Sequence, residues 1–183
     1  MTADEALALL APSRPAAAGA TWADLGAGGG TFTRALAALL GAGGTVYAVD
    51  RDPRSVESLR ALAARESRDA ARVIVVEADF TRPLGVPASL DGLLLANALH
   101  FVPDAGATLA RLTATLLRAG CRVVVIEYDR RPKSRWVPYP LDADSLPALA
   151  ARAGLTTPAV VATRPSAFGG TIYVAVADAR APR

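Results

Sequence analysis

A glycine cluster, DLGAGGGT at residues 24–31, joins the short apolar run ATWADL to a segment with helical periodicity. The apolar positions of that segment are Phe32, Leu36, Leu39 and Leu40. Glycines between a strand and a helix allow unusual φ angles and close approach of a ligand. A phosphate or carboxylate could meet free backbone N–H groups and the helix dipole there. A lone glycine cluster also fits a tight turn without a ligand, so the surrounding sequence has to decide.

On both sides of this cluster, β-type runs alternate with helical patterns, which predicts βαβ units and a mostly parallel sheet. The predicted strands are ATWADL (20–25), TVYAVD (45–50), RVIVVEAD (72–79), SLDGLLLANAL (89–99), CRVVVIEYD (121–129), PAVVATR (158–164) and GGTIYVAVA (169–177). A helix is expected to run from Pro103 or Asp104 to a stop at Gly120. The last two strands are too close for a parallel crossover, so the last strand should be antiparallel to its neighbour.

The composition indicates one globular domain. The chain has 183 residues, of which 52% are hydrophobic and 20% charged, enough for a single core without a separate substrate domain. We expect an N-terminal helical segment at 1–19, a core at 20–177 and a substrate-side loop at 130–142. The net charge of +3 is concentrated in one segment, 130–135, so a globally basic nucleic-acid binder is disfavoured.

Cysteine usage and the N-terminus suggest the compartment. Cys121 is the single cysteine, which excludes an intramolecular disulfide and a cysteine-based metal cluster, and we predict no metal site. Asp4 and Glu5 stand where a signal peptide would be basic. No apolar run reaches the 18 or so residues that span a bilayer. We therefore expect a cytoplasmic protein, monomeric or homodimeric, without a membrane partner.

Two acidic residues restrict the classes of ligand that the glycine cluster could bind. Asp50 ends the second predicted strand, where a carboxylate can accept hydrogen bonds from two ribose hydroxyls of NAD or of another adenosine ligand. Asp24 would repel a pyrophosphate and attract an ammonium or sulfonium group. Thr31 occupies the place of the last glycine in G-x-G-x-x-G counted from Gly26. Dinucleotide binding is therefore disfavoured.

These motifs resemble those of the class I S-adenosylmethionine-dependent methyltransferases, in particular their small-molecule branch. The matching segments are DLGAGGGT, VYAVDRDP, VEADFTRPL, LLLANALHFV, LRAGCRVVVIEYD and the hairpin ending in GGTIYVAVA. They occur in the family's order and cover residues 20–177. The resemblance implies a single methyltransferase domain with a three-layer α/β/α Rossmann-like sandwich, a mostly parallel seven-stranded sheet and an antiparallel last strand. It also implies S-adenosyl-L-methionine as cofactor and S-adenosyl-L-homocysteine as product.

The resemblance also implies a set of cofactor-binding residues. They are Asp24, Gly26, Gly28, Gly30, Asp50, Arg51, Asp79, Phe80 and Asn97. The glycines would lie under the methionine part, with Asp24 near its amino group. Asp50 would hold the ribose, Asp79 the adenine amino group, with Phe80 beside the ring, and Asn97 would face cofactor and substrate. Asp50 could instead simply end a strand, and Asp79 could cap a turn.

The end of the fourth strand suggests the type of acceptor. Family members that methylate nucleobases or glutamine carry Asn/Asp-Pro-Pro-Tyr/Phe there, whereas this chain has Asn97-Ala98-Leu99-His100. That departure favours a small-molecule acceptor, and Asn-x-Leu-His is similar to the branches related to quinone-biosynthesis enzymes. His100, the only histidine, is a candidate general base because of its near-neutral intrinsic pKa. It could instead cap the next helix or line the pocket.

The loop after the fifth strand is the candidate substrate side, because it leaves the sheet near the topological switch point. Tyr128, Trp136 and Tyr139 could form an aromatic wall, and Arg131 with its basic neighbours could attract an acidic substrate or RNA. The same segment could be a solvated basic turn with Trp136 packed on the domain. The alternatives to a small-molecule methyltransferase are an RNA methyltransferase, a noncatalytic S-adenosylmethionine binder and, more distantly, an NAD-dependent oxidoreductase.

Overall fold

A computed structural model describes residues 1–15, 19–65 and 67–181. Its seven strands are β1 (Thr21–Leu25), β2 (Thr45–Asp50), β3 (Arg72–Glu77), β4 (Leu90–Ala96), β5 (Leu117–Asp129), β6 (Ala159–Pro165) and β7 (Thr171–Asp178). They form one sheet in the order β3-β2-β1-β4-β5-β7-β6. Pairing is parallel from β3 to β5, and β7 runs antiparallel to both β5 and β6. The predicted sheet, including its antiparallel last strand, is confirmed.

Three of the helices begin at a capping side chain, and α2 begins after a glycine. They are α1 (Ala3–Leu10), α2 (Thr31–Leu40), α3 (Pro53–Ala63), α4 (Ala105–Leu116) and α5 (Leu146–Arg152), with 3₁₀ turns at Ala11–Ser13, Leu99–Phe101 and Ala143–Ser145. The Asp52 carboxylate accepts a hydrogen bond from the Ser55 N–H at the start of α3, and Asp104 accepts from the Ala107 N–H at the start of α4. Each bond satisfies a free donor of the first helical turn.

Both faces of the sheet are buried, which makes the three layers. Leu93 and Leu95 on β4 pack in a core with α4 and α5, whereas Leu94 between them packs in a second core with α1, α2 and α3. This alternation explains why β4 has an almost continuous apolar sequence. The three-layer α/β/α Rossmann-like sandwich is therefore confirmed.

Several element ends differ from the prediction, and the largest differences are at the junction of α4 with β5 and at the end of β4. Helix α4 ends at Leu116, and β5 already begins at Leu117, because Leu117 pairs with Leu90 of β4 and the Gly120 N–H donates to the Ala179 carbonyl at 2.7 Å. The fourth strand ends at Ala96 rather than at Leu99, because Asn97 adopts a left-handed conformation with φ of 53°. The chain after β4 is thereby turned across the end of the sheet.

The topology leaves a crevice beyond the carboxyl ends of β1 and β4. From β1 the chain builds the sheet outward through β2 and β3, and from β4 it builds it in the other direction. Helices that follow these strands diverge, and ligands of open α/β sheets bind at such a point.

Among the described residues, no helix has the length and apolar character needed to cross a membrane.

Candidate active site

A cavity of about 670 Å³ opens at the carboxyl ends of β1, β2 and β4. Its inner half is lined by the glycine loop and by Asp50, Asp79, Phe80 and Asn97. Its outer half is lined by the start of α1, by Phe101 and Tyr128, and by residues 164–168. The volume lies in the range of small-molecule and cofactor sites.

The glycine loop is tied to β2 by its backbone. The N–H groups of Gly26 and Ala27 donate to the Val49 carbonyl at 2.9 and 3.0 Å. Gly26 has a φ of 76°, and a Cβ there would lie 2.8 Å from Ala98 Cβ and 3.2 Å from Phe80 Cε1. Only glycine therefore allows the loop to pack so closely against the chain leaving β4. Gly30 serves a different purpose, since it precedes α2 at φ of 84° and packs against α3 rather than lining the cavity.

Asp50 joins the end of β2 to the glycine loop. Its Oδ2 accepts a hydrogen bond from the Gly28 N–H at 2.7 Å, and its Oδ1 accepts from the Asp52 N–H at 2.9 Å. A carboxylate offers about four acceptor positions. The Asp50 carboxylate is thus fixed in orientation, and its remaining lone pairs can still accept hydrogen bonds from hydroxyl groups in the cavity.

Asp79 follows β3 on the same side of the cavity. Its Oδ1 accepts from the Thr81 N–H and hydroxyl at 2.9 and 2.7 Å, and its Oδ2 lies 3.2 Å from Arg51 Nη1. Partial burial raises the pKa of Asp79, but the Thr81 hydrogen bonds and the Arg51 charge outweigh it and hold the pKa below its usual value. Asp79 is therefore an ionised acceptor beside the Phe80 ring.

Asn97 presents an unsatisfied acceptor. Its backbone N–H donates to the Ile126 carbonyl at 2.7 Å, and its Oδ1 is buried without a hydrogen-bond partner. Buried polar atoms are nearly always paired. A residue that lines the cavity with an orphaned oxygen fits a bound molecule that brings a donor.

Asp24 lies beneath the loop rather than in the cavity lining. It is fully buried, its Oδ2 accepts from the Thr33 hydroxyl at 2.6 Å, and its Oδ1 has no partner. Burial raises the pKa of Asp24 to about 7; the Thr33 hydrogen bond opposes this rise, and the Asp50 charge adds to it. Its influence on a ligand would pass through the loop above it.

His100 is also absent from the described cavity lining. The residue is 2% exposed, and its Nδ1 lies 2.6 Å from Glu127 Oε2. The neighbouring Phe101 ring, with its centroid 4.3 Å from that of His100, lines the cavity instead. The structure thus places the candidate base behind the wall of the cavity.

Of the predicted aromatic wall, Tyr128 alone lines the cavity. The Arg131 guanidinium lies over the Tyr128 ring at 4.9 Å, outside the lining. Trp136 is 65% exposed beneath the Arg135 guanidinium, and the Tyr139 N–H donates to the His100 carbonyl at 3.0 Å. The loop therefore runs along the outside of the 99–101 turn, and its basic side chains are not among the residues that line the cavity.

The outer half of the cavity instead contains residues that sequence reasoning missed. They are Glu5, Phe101, Arg164 and Phe168. Arg164 Nη2 lies 3.0 Å from Glu5 Oε1, which joins the start of α1 to β6. Phe101 follows His100 directly in the sequence, and Phe168 lies in the turn between β6 and β7. An aromatic residue in a turn, outside the apolar pattern of any helix or strand, was the sequence signal that could have identified them.

A family model described as a methyltransferase domain matches residues 23–123. The chain belongs to this methyltransferase family. The matched region includes the glycine loop, Asp50, Asp79 and Asn97, so the resemblance to class I S-adenosylmethionine-dependent methyltransferases is confirmed.

Solved structures agree with the methyltransferase fold. YcgJ from Bacillus subtilis superposes with a TM-score of 0.76 at 12% identity, covering 98% of this chain and all of that one. The 1,6-didemethyltoxoflavin-N1-methyltransferase of Burkholderia thailandensis, solved with 1,6-didemethyltoxoflavin and S-adenosylhomocysteine, gives 0.69 at 26% identity over 97% of this chain and 78% of its own.

A curated relative matches one part of the methyltransferase chain. Ribosomal RNA small subunit methyltransferase H of Acidobacterium capsulatum is 42% identical in an alignment of 82 positions that covers 42% of this chain. The match spans 28% of that protein's length.

Proposed function

We propose that this methyltransferase transfers a methyl group from S-adenosylmethionine to a small-molecule acceptor. The observation that carries the proposal is the convergence of the glycine loop, Asp50, Asp79 and Asn97 on one cavity with an open outer half. A noncatalytic binder would need the inner half only. The toxoflavin-precursor methyltransferase, whose acceptor is a small molecule, supports the same class.

The residues of the inner half fit the cofactor. Asp50 would accept from the ribose hydroxyls, and Asp79 would accept from the adenine amino group with Phe80 against the ring. Gly26 and Gly28 would lie under the methionine part, and the unpaired Oδ1 of Asn97 would gain a donor. The Asp24 carboxylate beneath the loop would favour the positive charge of the amino group or the sulfonium.

The cofactor supplies a methyl group on a positively charged sulfur, which departs as a neutral thioether. The chain's part is to orient the acceptor in line with that methyl group and to exclude water, which can contribute about 7 to 11 kcal/mol. Tyr128 would serve as a neutral hydrogen-bonding group, because burial raises the pKa of its phenol. With His100 behind the wall, the acceptor's own lone pair forms the bond to carbon, and any proton it carried passes to solvent.

Thermal unfolding with three ligands tests this function. Ligands that bind the native state raise the midpoint by mass action. S-adenosylmethionine and S-adenosylhomocysteine should each stabilise the protein, and NAD should not. Stabilisation by NAD alone would assign the cavity to a dinucleotide instead.

RNA is a second candidate acceptor, favoured by the partial match to the ribosomal RNA methyltransferase and by the basic segment 130–135. Its test is the affinity for a short single-stranded RNA at low and high salt, since phosphate contacts weaken steeply as salt rises. The double variant Lys133→Gln/Arg135→Gln should abolish a genuine RNA interaction. If the affinity for RNA is the same at low and high salt, and the same in the wild type and the double variant, the basic segment is excluded as an RNA site.

A further inference from the structure

We propose that the outer half of the cavity selects a planar aromatic acceptor, whose ring faces pack against Phe101, Tyr128 and Phe168. This inference rests on the proposed function, because it assigns the acceptor class to the same cavity.

The distribution of phenylalanine carries the inference. The chain has four phenylalanines in 183 residues, and all four line this cavity. Phe32 and Phe80 lie in the inner half, next to the glycine loop. Phe101 and Phe168 lie in the outer half with 50% and 73% of their surface exposed. Exposed apolar side chains scattered singly need no explanation, whereas their concentration at one opening indicates a ligand.

The outer rings are held in position rather than loosely attached. The Arg131 guanidinium lies 4.9 Å from the Tyr128 centroid and 5.9 Å from the Phe168 centroid, so one cation covers both rings. Its Nη1 also donates to the Phe168 carbonyl at 2.8 Å. The Phe168 N–H donates to the Ser166 hydroxyl at 3.1 Å. The backbone of the hairpin turn is therefore fixed, and the Phe168 ring shares the Arg131 guanidinium with the Tyr128 ring.

Phe101 lines the same cavity and is held by different contacts. Its ring packs on His100, which is itself fixed by Glu127. A rigid aromatic side chain offers a large contact area with little entropy lost on binding. Two such rings on separate, braced segments favour an acceptor with extended flat faces over a flexible aliphatic one.

Charge in the outer half supports the same class. Glu5 and Arg164 are paired with each other at 3.0 Å. Tyr128 and Ser166 contribute hydroxyls, Met1 also lines the cavity, and the Arg131 guanidinium lies over the Tyr128 and Phe168 rings. Of the charged side chains that line the outer half, Glu5 and Arg164 are paired with each other, so neither is left free for a charged acceptor. A flat, weakly polar molecule loses little and gains ring contacts.

Calorimetric titration with two probes of equal carbon framework tests the inference. The probes are 2-naphthol, which is flat, and decahydro-2-naphthol, which is saturated and puckered; both are uncharged at pH 7. The protein is saturated with S-adenosylhomocysteine, whose own affinity is measured first. We expect 2-naphthol to bind about tenfold more tightly, since two aromatic contacts of ordinary strength multiply to that ratio.

Variants then locate the binding. Phe168→Leu should weaken 2-naphthol binding about fivefold, because leucine restores apolar area but no ring, and Phe168→Ala should weaken it at least as much. Trp136→Ala is the matched control, an exposed aromatic outside the cavity, and should leave the affinity unchanged. S-adenosylhomocysteine affinity should stay within twofold in all three.

Equal affinity for the two probes, or 2-naphthol binding that Phe168→Ala leaves intact while S-adenosylhomocysteine still binds, would overturn this inference and leave the proposed function standing. Failure of the wild type to bind S-adenosylhomocysteine would overturn both.

Discussion

Glu127 and His100 form a buried pair, with Glu127 Oε2 2.6 Å from His100 Nδ1 and side chains that are 1% and 3% exposed. The other oxygen, Oε1, accepts from the backbone N–H groups of Leu99 and His100 at 2.9 and 3.2 Å. Glu127 on β5 therefore fixes the turn that leaves β4. That turn carries Asn97 and Phe101 into the cavity, so the pair supports the cavity wall from behind.

Glu127→Ala should therefore lower the free energy of unfolding by about 3 kcal/mol, because it leaves two buried N–H groups and the imidazole without their partner. Urea denaturation measures this change. Glu77→Ala is the control, since Glu77 pairs only at the surface with Arg60 and should change stability by less than about 1 kcal/mol. Similar losses in the two variants would contradict the supporting role.

His100→Gln should retain methyl transfer to within about fivefold, with the pH dependence of kcat unchanged, because the imidazole does not line the cavity. A lost general base typically reduces the rate by about 10²-fold to 10⁴-fold. Steady-state kinetics with an acceptor from the flat aromatic class measure the effect. A fall of that size together with a lost limb in the pH profile would restore His100 as the base.

Gly26→Ala should abolish cofactor binding and cost about 1 to 3 kcal/mol of stability, because φ is 76° and the new methyl group would meet Ala98 Cβ at 2.8 Å. Gly85→Ala is the control, since a Cβ there has nothing within 4 Å. S-adenosylhomocysteine titration and urea denaturation measure the two effects. Unimpaired binding by Gly26→Ala would show that the loop is not the cofactor seat.

Asp24 should make stability depend on pH. Because its pKa is raised from 3.8 to about 7 in the folded protein, the folded state holds the proton more tightly than the unfolded state. The free energy of unfolding therefore falls as pH rises from about 4 to 7, by at most about 4 kcal/mol, and is constant above that range as far as this group is concerned.

Asp24→Asn should remove that dependence. The variant should gain stability over the wild type at pH 8 more than at pH 5, as measured by urea denaturation of the protein without cofactor. Asp69→Asn, at an exposed position, should show no such difference. A pH-independent gap between Asp24→Asn and the wild type would contradict a shifted carboxyl.

The parts of the structure that the sequence predicted are those that depend on short stretches of neighbouring residues. Asp50 and Asp79 follow short β-rich runs, and the carboxyl ends of parallel strands meet at one edge, so the inner half of the cavity could be assembled from sequence order. The ends of β4 and α4 could not, because they depend on the turn at Asn97 and on the pairing of Leu117 with Leu90.

The outer half depends on contacts between distant segments. Arg131 meets Phe168 across 37 residues, and His100 meets Glu127 across 27. Neither pair leaves a periodic or spaced pattern in the sequence. The only histidine therefore suggested a base, although its side chain is buried against Glu127 outside the cavity lining. The loop after β5 suggested an aromatic wall, although Phe168 of the hairpin turn lines the cavity where Trp136 and Tyr139 do not.

Calorimetric titration of S-adenosylmethionine into the wild type and Asp50→Asn tests the central claim most directly. The wild type should bind one equivalent, and Asp50→Asn should bind about tenfold to a hundredfold more weakly, because hydrogen bonds to a charged acceptor are lost. The variant should also unfold at a somewhat lower temperature, because the N–H group of Gly28 or of Asp52 loses its acceptor. Asp69→Asn should match the wild type. Absence of binding by the wild type, or equal affinity in Asp50→Asn, would contradict the assignment of this cavity to the cofactor.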